Sequence, residues 1–448
     1  MTAAVDPARW TDLLSTAAVR HGVPGAALAF HHDGRMHEFA TGVLNRDTGH
    51  PVRTDSLFQI GSITKVWTAT QIMQFVEQGT FSLDTPVIDV WPEFEVGDEH
   101  QTKSVTIRQL LSHTSGIDGD FFHDTGRGDD CLDKYADACR QLPAVHPIGA
   151  TQSYCNSGFS LLGRLVERIT GKTWDAALRE QIIEPLGLTH TCTLPEEVLR
   201  HSGAVGHRKD GSVSKVWGLM RSAGPAGLIC ARAADVVRFG RGHLSGALLK
   251  RPEAMWDAQV TIPGPMPFAS EWGLGWMLDT LSGRRILSHG GTTIGQSSML
   301  WVEPESGFTA ALVLNGGNSV AFEHELGTAL FGELLGIEVP PPPGPPATPV
   351  DTDAARFAGV YESVGVKITI TARGGDGPRL VMERKGDLAE TAPGTSMDLV
   401  AVSGNSFVGH AEGMGWLPVV FYELADGSPY LHFGVRAVPK ADWRNPVR

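Results

Sequence analysis

Two residues early in the chain have the types and spacing needed for nucleophilic catalysis. Ser62 and Lys65 begin an apolar run from Val66 to Val76 in which hydrophobic residues recur at helical spacing. The pattern predicts a helix with one buried face, ended by Gly79. Residues three apart share a helix face, and a helix N-terminus favours developing negative charge. A buried Lys65 amine with a lowered pKa could therefore take the Ser62 proton.

The Ser-x-x-Lys spacing alone is weak evidence. It recurs at Ser212–Lys215, in a polar stretch that predicts a turn. At Ser62 the alternative interpretation is a serine that caps the helix, followed by a solvated lysine. The long apolar helix and two later motifs favour the catalytic interpretation.

The second motif is Tyr154-Cys-Asn156, in a loop before a helix predicted from Leu161 to Ile169. Residues two apart in an extended segment point to the same side. A phenolate near a lysine can act as a general base, and an amide can bind a substrate carbonyl while it fixes the lysine. The alternative is a tyrosine packed at a helix start, with asparagine as the cap.

The third motif is His289-Gly290-Gly291, which precedes two β-forming runs around a Pro-Glu-Ser-Gly turn. Glycine in a strand permits close approach of a ligand to the backbone. A substrate lying along this strand could place its carbonyl oxygen between the backbone N–H groups of Ser62 and Thr292, an oxyanion hole. A histidine at a strand end is otherwise more often a plain surface residue.

In this order, the three motifs resemble those of the serine β-lactamase and penicillin-binding-protein superfamily, on its class C side. His289-Gly-Gly291 stands where the family has Lys-Thr-Gly, and the resemblance covers roughly residues 10–335. It implies an α/β fold, with an antiparallel sheet flanked by helices, and acyl transfer through Ser62 without a cofactor. With histidine in the third motif, the chain is more like the superfamily's esterases, D-aminopeptidases and peptide-releasing enzymes than like a β-lactamase.

A stiff Pro-rich connector, Gly336 to Pro349, leads to a C-terminal region of short β-forming runs separated by Gly- and Asp-rich turns. Their rhythm predicts a small antiparallel barrel or sandwich, which resembles the lipocalin-like barrel of some superfamily members. The predicted domains are 1–338 (catalytic), 339–351 (linker) and 352–448 (barrel). The predicted strands of the barrel include single runs over 419–424 and 430–438.

The barrel and the polar loop Asp118–Asp130 are predicted to border the substrate cleft. Arg436 or Arg444 could reach a peptide carboxylate or the peptide backbone; the alternative for each is a surface arginine on a stabilising barrel. The predicted catalytic residues are Ser62, Lys65, Tyr154, Asn156 and His289, the predicted oxyanion and substrate-binding residues are Thr292, Gly290, Gly291, Arg436 and Arg444, and no metal ligand is predicted.

Composition limits the remaining possibilities. The chain has 448 residues and a net charge of −13, which argues against nucleic acid or an anionic membrane as a partner. No apolar run is long enough to span a bilayer, and the N-terminus lacks a signal-peptide pattern, so we expect a cytoplasmic protein. The five sparse cysteines predict buried, reduced thiols. Nucleophile-elbow and zinc-site patterns are absent.

These features predict a serine acyl-transfer enzyme. The missing signal peptide and the appended barrel resemble the penicillin-binding-protein-type thioesterases, which release nonribosomal peptides by head-to-tail macrolactam formation. That resemblance implies a peptidyl thioester or a carrier-protein-bound peptide as substrate. The alternatives are an esterase, D-aminopeptidase or β-lactamase-like hydrolase of the same fold, and a non-catalytic sensor. A sensor would normally have lost Lys65, Tyr154 or Asn156, and all three are present.

Overall fold

The computed structural model describes residues 5–441 except 267, 349, 374–376, 387, 388, 390–393 and 413. The α-helices are α1 (Pro7–Arg20), α2 (Thr64–Glu77), α3 (Val87–Val90), α4 (Glu99–Ser104), α5 (Ile107–Leu111), α6 (Cys131–Cys139), α7 (Asn156–Thr170), α8 (Trp174–Leu178), α9 (Pro195–Val198), α10 (Gly224–Gly227), α11 (Ala233–Leu244) and α12 (Ser319–Ala329). Tighter turns of 3-10 helix lie at Gly61–Ile63, Arg221–Ala223, Pro252–Met255 and Ala354–Phe357, and π-helical turns lie at Arg179–Ile183 and Leu330–Leu335.

The strands of the catalytic region are β1 (Gly25–His32), β2 (Arg35–Gly42), β3 (Phe58–Gln59), β4 (Thr191–Cys192), β5 (Cys230–Ala231), β6 (Val260–Met266), β7 (Ala269–Trp272), β8 (Met277–Leu281), β9 (Arg284–Thr292), β10 (Ser297–Glu303) and β11 (Phe308–Leu314). The C-terminal strands are β12 (Gly359–Glu362), β13 (Val366–Thr371), β14 (Arg379–Arg384), β15 (Thr395–Ala401), β16 (Ser406–Ala411), β17 (Gly415–Glu423), β18 (Pro429–Phe433) and β19 (Arg436–Pro439).

An antiparallel sheet with the strand order β2-β1-β11-β10-β9-β8-β7-β6 forms the centre of the catalytic region. Helices α1 and α12 cover one face, where Trp10 and Phe322 join the apolar core. Helices α2, α7 and α11 lie on the other face, in a larger core that includes Trp67 and Phe239. Every residue of β10 and β11 is buried, because helices cover the sheet on both sides. The predicted α/β fold class is confirmed.

Helix α2 differs from its prediction in one respect. The sequence predicts one buried face, but every residue from Thr64 to Met73 is buried. The polar side chains find partners inside the protein: Thr68 Oγ1 donates to the Pro225 carbonyl at 2.8 Å, and Gln71 Nε2 donates to Gln181 Oε1 at 2.8 Å. Because buried polar groups that are hydrogen-bonded cost little, the helix can lie in the centre of the helical layer.

The C-terminal strands β12 to β19 pair in consecutive order and nearly close a barrel, in agreement with the predicted fold. A bridge between Tyr361 and Lys440 and a 2.8 Å hydrogen bond from the Ala441 N–H to the Val360 carbonyl join the first strand to the last. Buried apolar side chains fill the interior, and Phe357 stacks on Phe421 at 4.3 Å between ring centroids. This barrel is therefore a packed core.

Two details of the barrel were predicted wrongly. Strand β16 was not predicted, and the single run predicted over 430–438 is two strands, β18 and β19. They are joined by a turn at Gly434 and Val435, whose φ angles are +55° and +61°. A positive φ is rare for a β-branched residue, so sequence preference does not favour a turn at valine. The boundaries at 338/339 and 351/352 stay predictions.

The barrel lies against the segment that precedes α7. Tyr430 Oη donates to the Val145 carbonyl at 2.8 Å, and the Tyr154 N–H donates to the Val435 carbonyl at 2.8 Å. The Asp118–Asp130 loop was predicted to border the substrate cleft, but its first residues are buried. Asp118 Oδ2 accepts the Val364 N–H of the barrel at 2.8 Å. The barrel thus supports the second motif directly.

Candidate active site

Ser62 lies in the 3-10 turn Gly61–Ile63 that leads into α2, and Lys65 lies one turn into the helix. Lys65 Nζ is 3.2 Å from Ser62 Oγ. The lysine is fully buried, while Ser62 is half-buried. A serine cap with a solvated lysine, the alternative interpretation of this motif, is therefore wrong.

The surroundings of Lys65 favour a neutral amine. Burial lowers the pKa of Lys65 well below its usual value, and the nearby Arg436 charge lowers it further. Nζ donates to Asn156 Oδ1 and to the Ala226 carbonyl, each at 2.7 Å. A neutral amine has two N–H donors and one lone pair. With both donors engaged, the lone pair is left for the Ser62 hydroxyl.

Tyr154 is enclosed by aromatic rings and by the lysine. Its ring centroid is 4.4 Å from that of His113 and 5.6 Å from that of Trp272, and Lys65 Nζ lies 4.8 Å from the tyrosine centroid. Burial raises the pKa of Tyr154, although its hydrogen bond with Ser62 opposes the rise. The resting site therefore holds a neutral phenol, and the phenolate considered from the sequence is not favoured. The Lys65 amine is the stronger candidate for the first base.

His289 is buried on β9, so the surface interpretation of this residue is wrong. Burial lowers the pKa of His289 to about 3, which leaves the ring neutral. Its Nδ1 lies 2.6 Å from the Gly290 carbonyl, which can only accept, so Nδ1 carries the proton. Nε2 is then an unprotonated acceptor, and it has no hydrogen-bond partner among the residues that the structure describes. The third motif thus presents a neutral acceptor where the family pattern has a lysine cation.

Strand β9 runs past the Ser62 turn at very short range. The pairing of β9 with β8 ends at Ser288, so His289, Gly290 and Gly291 lie beyond the end of β8. A Cβ placed on Gly61 would lie 2.7 Å from the Thr292 amide nitrogen. This approach brings the Thr292 backbone next to the turn that carries Ser62, as the predicted oxyanion hole requires.

Gly291 is the residue that permits this approach. A Cβ there would overlap the Ile60 carbonyl oxygen, whereas a Cβ on Gly290 would come closest to the sulfur of the flexible Met299 side chain, at 3.3 Å, and would lie in ordinary contact with the Ser298 carbonyl oxygen, at 3.9 Å. We expect Gly291→Ala to lower the free energy of unfolding by about 1–3 kcal/mol and to slow acylation, because the strand must move away from the turn. Gly290→Ala should unfold nearly as the wild type does. Thermal unfolding of both variants tests this, and equal destabilisation would contradict it.

Arg436 enters the site from the barrel, but its guanidinium is already engaged. Nη2 and Nε donate to the two carboxylate oxygens of Asp120 at 2.9 and 3.0 Å, and Nη1 donates to the Gly434 carbonyl at 2.7 Å. Its Cζ lies 5.1 Å from the Tyr154 ring centroid. The predicted contact of Arg436 with a substrate carboxylate stays a prediction, and it would have to compete with Asp120. Arg444 lies outside the described residues.

The structure brings the residues of all three predicted motifs together. It also places four groups beside them that were not predicted as site groups: Asp120, His113, Trp272 and the Ala226 carbonyl. The Asp-rich loop indicated the region of Asp120 without distinguishing that residue from its neighbours. A backbone carbonyl such as that of Ala226 carries no sequence pattern.

Comparison with known proteins agrees with this geometry. The β-lactamase family model matches residues 8–332. The chain belongs to the β-lactamase family. It is 45% identical to penicillin-binding protein 4 of Amycolatopsis lactamdurans, over 80% of this chain and 98% of that protein. The predicted superfamily resemblance is confirmed, and the protein is a serine acyl-transfer enzyme of the hydrolase and acyltransferase type.

Two solved structures extend the comparison within this β-lactamase-family fold. SurE with D-Leu matches at a TM-score of 0.76 and 26% identity, over 97% of this chain and 99% of that chain, so the match includes the barrel. A D-stereospecific amidohydrolase from Streptomyces sp. matches at a TM-score of 0.60 and 28% identity, over 74% of this chain and 99% of that one.

Among the residues that the structure describes for the present chain, no helix has the length and apolar character to cross a membrane.

Proposed function

We propose that this protein releases a peptide from a thioester by joining the peptide's own amino terminus to its carboxyl end. The observation that carries the proposal is the barrel turn at Gly434 and Val435, which accepts the Tyr154 N–H and packs against the apolar cluster around Tyr154, so that the barrel lies beside the candidate active site. The match to SurE over both the catalytic region and the barrel supports the same conclusion. It also accords with the resemblance to the penicillin-binding-protein-type thioesterases.

The first half-reaction uses Ser62 and Lys65 of the first motif, together with Tyr154 and the Thr292 backbone. Ser62 Oγ attacks the thioester carbonyl while its proton passes to Lys65 Nζ, 3.2 Å away. The oxyanion is held by the Ser62 and Thr292 backbone N–H groups. As the carbon–sulfur bond breaks, the leaving thiolate takes a proton from the Lys65–Tyr154 pair. The products are a free thiol and the peptidyl ester of Ser62.

The second half-reaction decides between cyclisation and hydrolysis. The peptide's ammonium, with a pKa of roughly 8, must lose a proton before it attacks the ester, and the neutral Lys65 amine can receive it. As the amide bond forms, the ester bond to Ser62 Oγ breaks, Oγ takes a proton back from Lys65, and the second proton of the amine leaves to solvent. An amine on the same molecule has a high effective concentration. A site walled by the barrel and by the buried start of the Asp118–Asp130 loop admits less competing water. His289 Nε2, an acceptor without a partner among the described residues, is available to the incoming amine or the leaving group.

A D-configured residue at the carboxyl end of the peptide is the substrate feature that the comparisons favour. SurE was solved with D-Leu, and the Streptomyces enzyme is a D-stereospecific amidohydrolase. We further propose a peptidyl thioester, free or bound to a carrier protein, as the partner. Nucleic acid and membranes are not proposed as partners, since the net charge is −13, and we propose a cytoplasmic location.

A hydrolase of the same fold is the second candidate. The amidohydrolase match, which covers 99% of that chain, favours it. The three motifs do not decide between the two candidates, because the same residues can activate either water or an amine to attack the ester. In this case the enzyme would be an esterase, a D-aminopeptidase or a β-lactamase-like hydrolase. Both candidates share the Ser62 ester and differ only in the group that attacks it.

Peptidyl thioesters that end in either a D- or an L-residue test the proposal, each prepared with a free and with a blocked amino terminus. We expect the free D-terminal substrate to give mainly a product one water lighter than the free acid. We expect the blocked substrate to give slow hydrolysis only. Cyclisation should fall as the pH drops below neutral, because less of the amine is unprotonated. If mass spectrometry finds only free acids across the unblocked panel, the hydrolase replaces the cyclase.

A further inference from the structure

The second motif is held by a chain of polar contacts that begins in the barrel. Arg436 binds both oxygens of Asp120, and Asp120 Oδ1 in turn accepts a hydrogen bond from Asn156 Nδ2 at 3.4 Å. On its other side, Asn156 Oδ1 accepts the Lys65 N–H at 2.7 Å. Asp120 is 8% exposed and faces this chain rather than solvent. Four side chains from different parts of the sequence therefore form one continuous network that ends at Ser62.

The direction of these hydrogen bonds matters for catalysis. A carboxylate can only accept, so Asp120 requires the NH₂ end of the Asn156 amide to face it. The carbonyl end must then face Lys65. Were the amide turned round, its NH₂ group would compete with the Ser62 hydroxyl for the Lys65 lone pair. The network thus determines which atom of Asn156 meets the amine.

We propose that Asp120, held in place by Arg436 of the barrel, is a positioning residue that fixes the orientation of the Asn156 amide and so leaves the Lys65 amine ready to take the Ser62 proton. The inference rests on the Ser62 acyl-transfer step of the proposed function, which cyclase and hydrolase share. It does not depend on which nucleophile later attacks the ester. It also gives the barrel a part in the chemistry in addition to its part in substrate enclosure.

The two charges act on Lys65 in opposite directions. Besides the dominant effect of burial, the Arg436 charge lowers the pKa of Lys65 and the Asp120 charge raises it. The titratable or charged groups that face the amine are Asp120, Tyr154, Cys155, His113, His289 and Arg436. Removal of one member of the ion pair leaves the other uncompensated beside the amine. The two single substitutions should therefore have opposite effects on the protonation of Lys65.

The test is the rate at which the full-length protein is acylated by an activated ester and phosphonylated by a fluorophosphonate, measured across acidic and neutral pH. Lys65 must be neutral to accept the proton, so the rate falls as the pH drops through the pKa of Lys65. This fall is the acid limb of the pH–rate profile, and above it the rate reaches a plateau. Asp120→Asn should move this acid limb to lower pH, and Arg436→Gln should move it to higher pH. Asp120→Asn should also lower the plateau by about 10²-fold, because its side chain can present either end to Asn156.

Two further variants separate positioning from simple loss of structure. Asp118→Asn changes a carboxylate in the same loop that accepts the Val364 N–H of the barrel and the Asp120 backbone N–H but does not bond Asn156. Because asparagine keeps an acceptor oxygen for the Asp120 N–H, this variant should keep the wild-type acid limb. The double variant Asp120→Asn/Arg436→Gln removes both charges, so its acid limb should return close to that of the wild type. Movement of both single variants in the same direction, or a fall of the plateau with no movement of either limb, would overturn the proposal. If the protein proves to be a hydrolase and not a cyclase, the expected acylation profiles are the same, because both reactions begin with the same acylation of Ser62.

Discussion

Ser62→Ala should abolish turnover of every ester and thioester substrate. The hydroxyl is the candidate nucleophile of the site: it lies 3.2 Å from the Lys65 amine, in the turn that the Thr292 backbone approaches at Gly61. Without it the site can bind substrate but cannot be acylated, so we expect activity at the level of the uncatalysed reaction. The measurement is steady-state release of thiol from a peptidyl thioester.

Ser212→Ala is the matched control for this result. Ser212 also has a lysine three residues later, but it is exposed, and its hydroxyl bonds only the neighbouring Asp210 carboxylate at 2.6 Å among the described residues. This variant should retain full activity. A fully active Ser62→Ala protein, or an inactive Ser212→Ala protein with intact structure, would contradict the assignment.

Lys65→Ala and Tyr154→Phe should each reduce turnover by about 10²–10⁴, the usual effect of a lost acid or base. Burial lowers the pKa of Lys65 and raises that of Tyr154, so the resting pair is a neutral amine and a neutral phenol. Their positions, with Nζ 4.8 Å from the ring centroid, suit a shared proton path through Ser62. Turnover of the single variants, followed by thiol release, gives the size of each effect.

The double variant Lys65→Ala/Tyr154→Phe shows whether the pair acts as a unit. Residues that share one proton path are strongly non-additive, so the double loss should be far smaller than the product of the single losses. Simple multiplication of the two losses would show that lysine and tyrosine act in separate steps. Thermal unfolding of all three variants controls for loss of structure, since Lys65 and Tyr154 are both buried.

The local motifs could be predicted from the sequence because each one occupies a few consecutive residues. Ser62 with Lys65, and Tyr154 with Asn156, carry their spacing in the chain itself, and β10 and β11 follow from two β-forming runs around a turn. The order of the motifs indicated the family. The prediction that the motifs meet in one site came from the fold of that family, because nothing in the separate motifs shows that they are close in space.

The contacts that complete the site could not be predicted in this way. Asp120 and Arg436 are 316 positions apart, and nothing in the local sequence of either indicates the other. The turn at Val435 requires a backbone conformation that valine rarely adopts, so the run over 430–438 looked like one strand. The polar residues of α2 looked exposed because hydrophobic periodicity cannot show that Thr68 or Gln71 has a buried partner.

The central claim is the peptidyl ester on Ser62, and one measurement tests it directly. The full-length protein is mixed with a D-terminal peptidyl thioester whose amino terminus is blocked, quenched in acid at early times, digested and mapped by mass spectrometry. Because the blocked peptide cannot cyclise, the ester should accumulate. We predict a single adduct, of the mass of the peptidyl group, on the fragment that contains Ser62. Turnover of the same substrate with no adduct at any time, or with the adduct on another residue, would contradict the account.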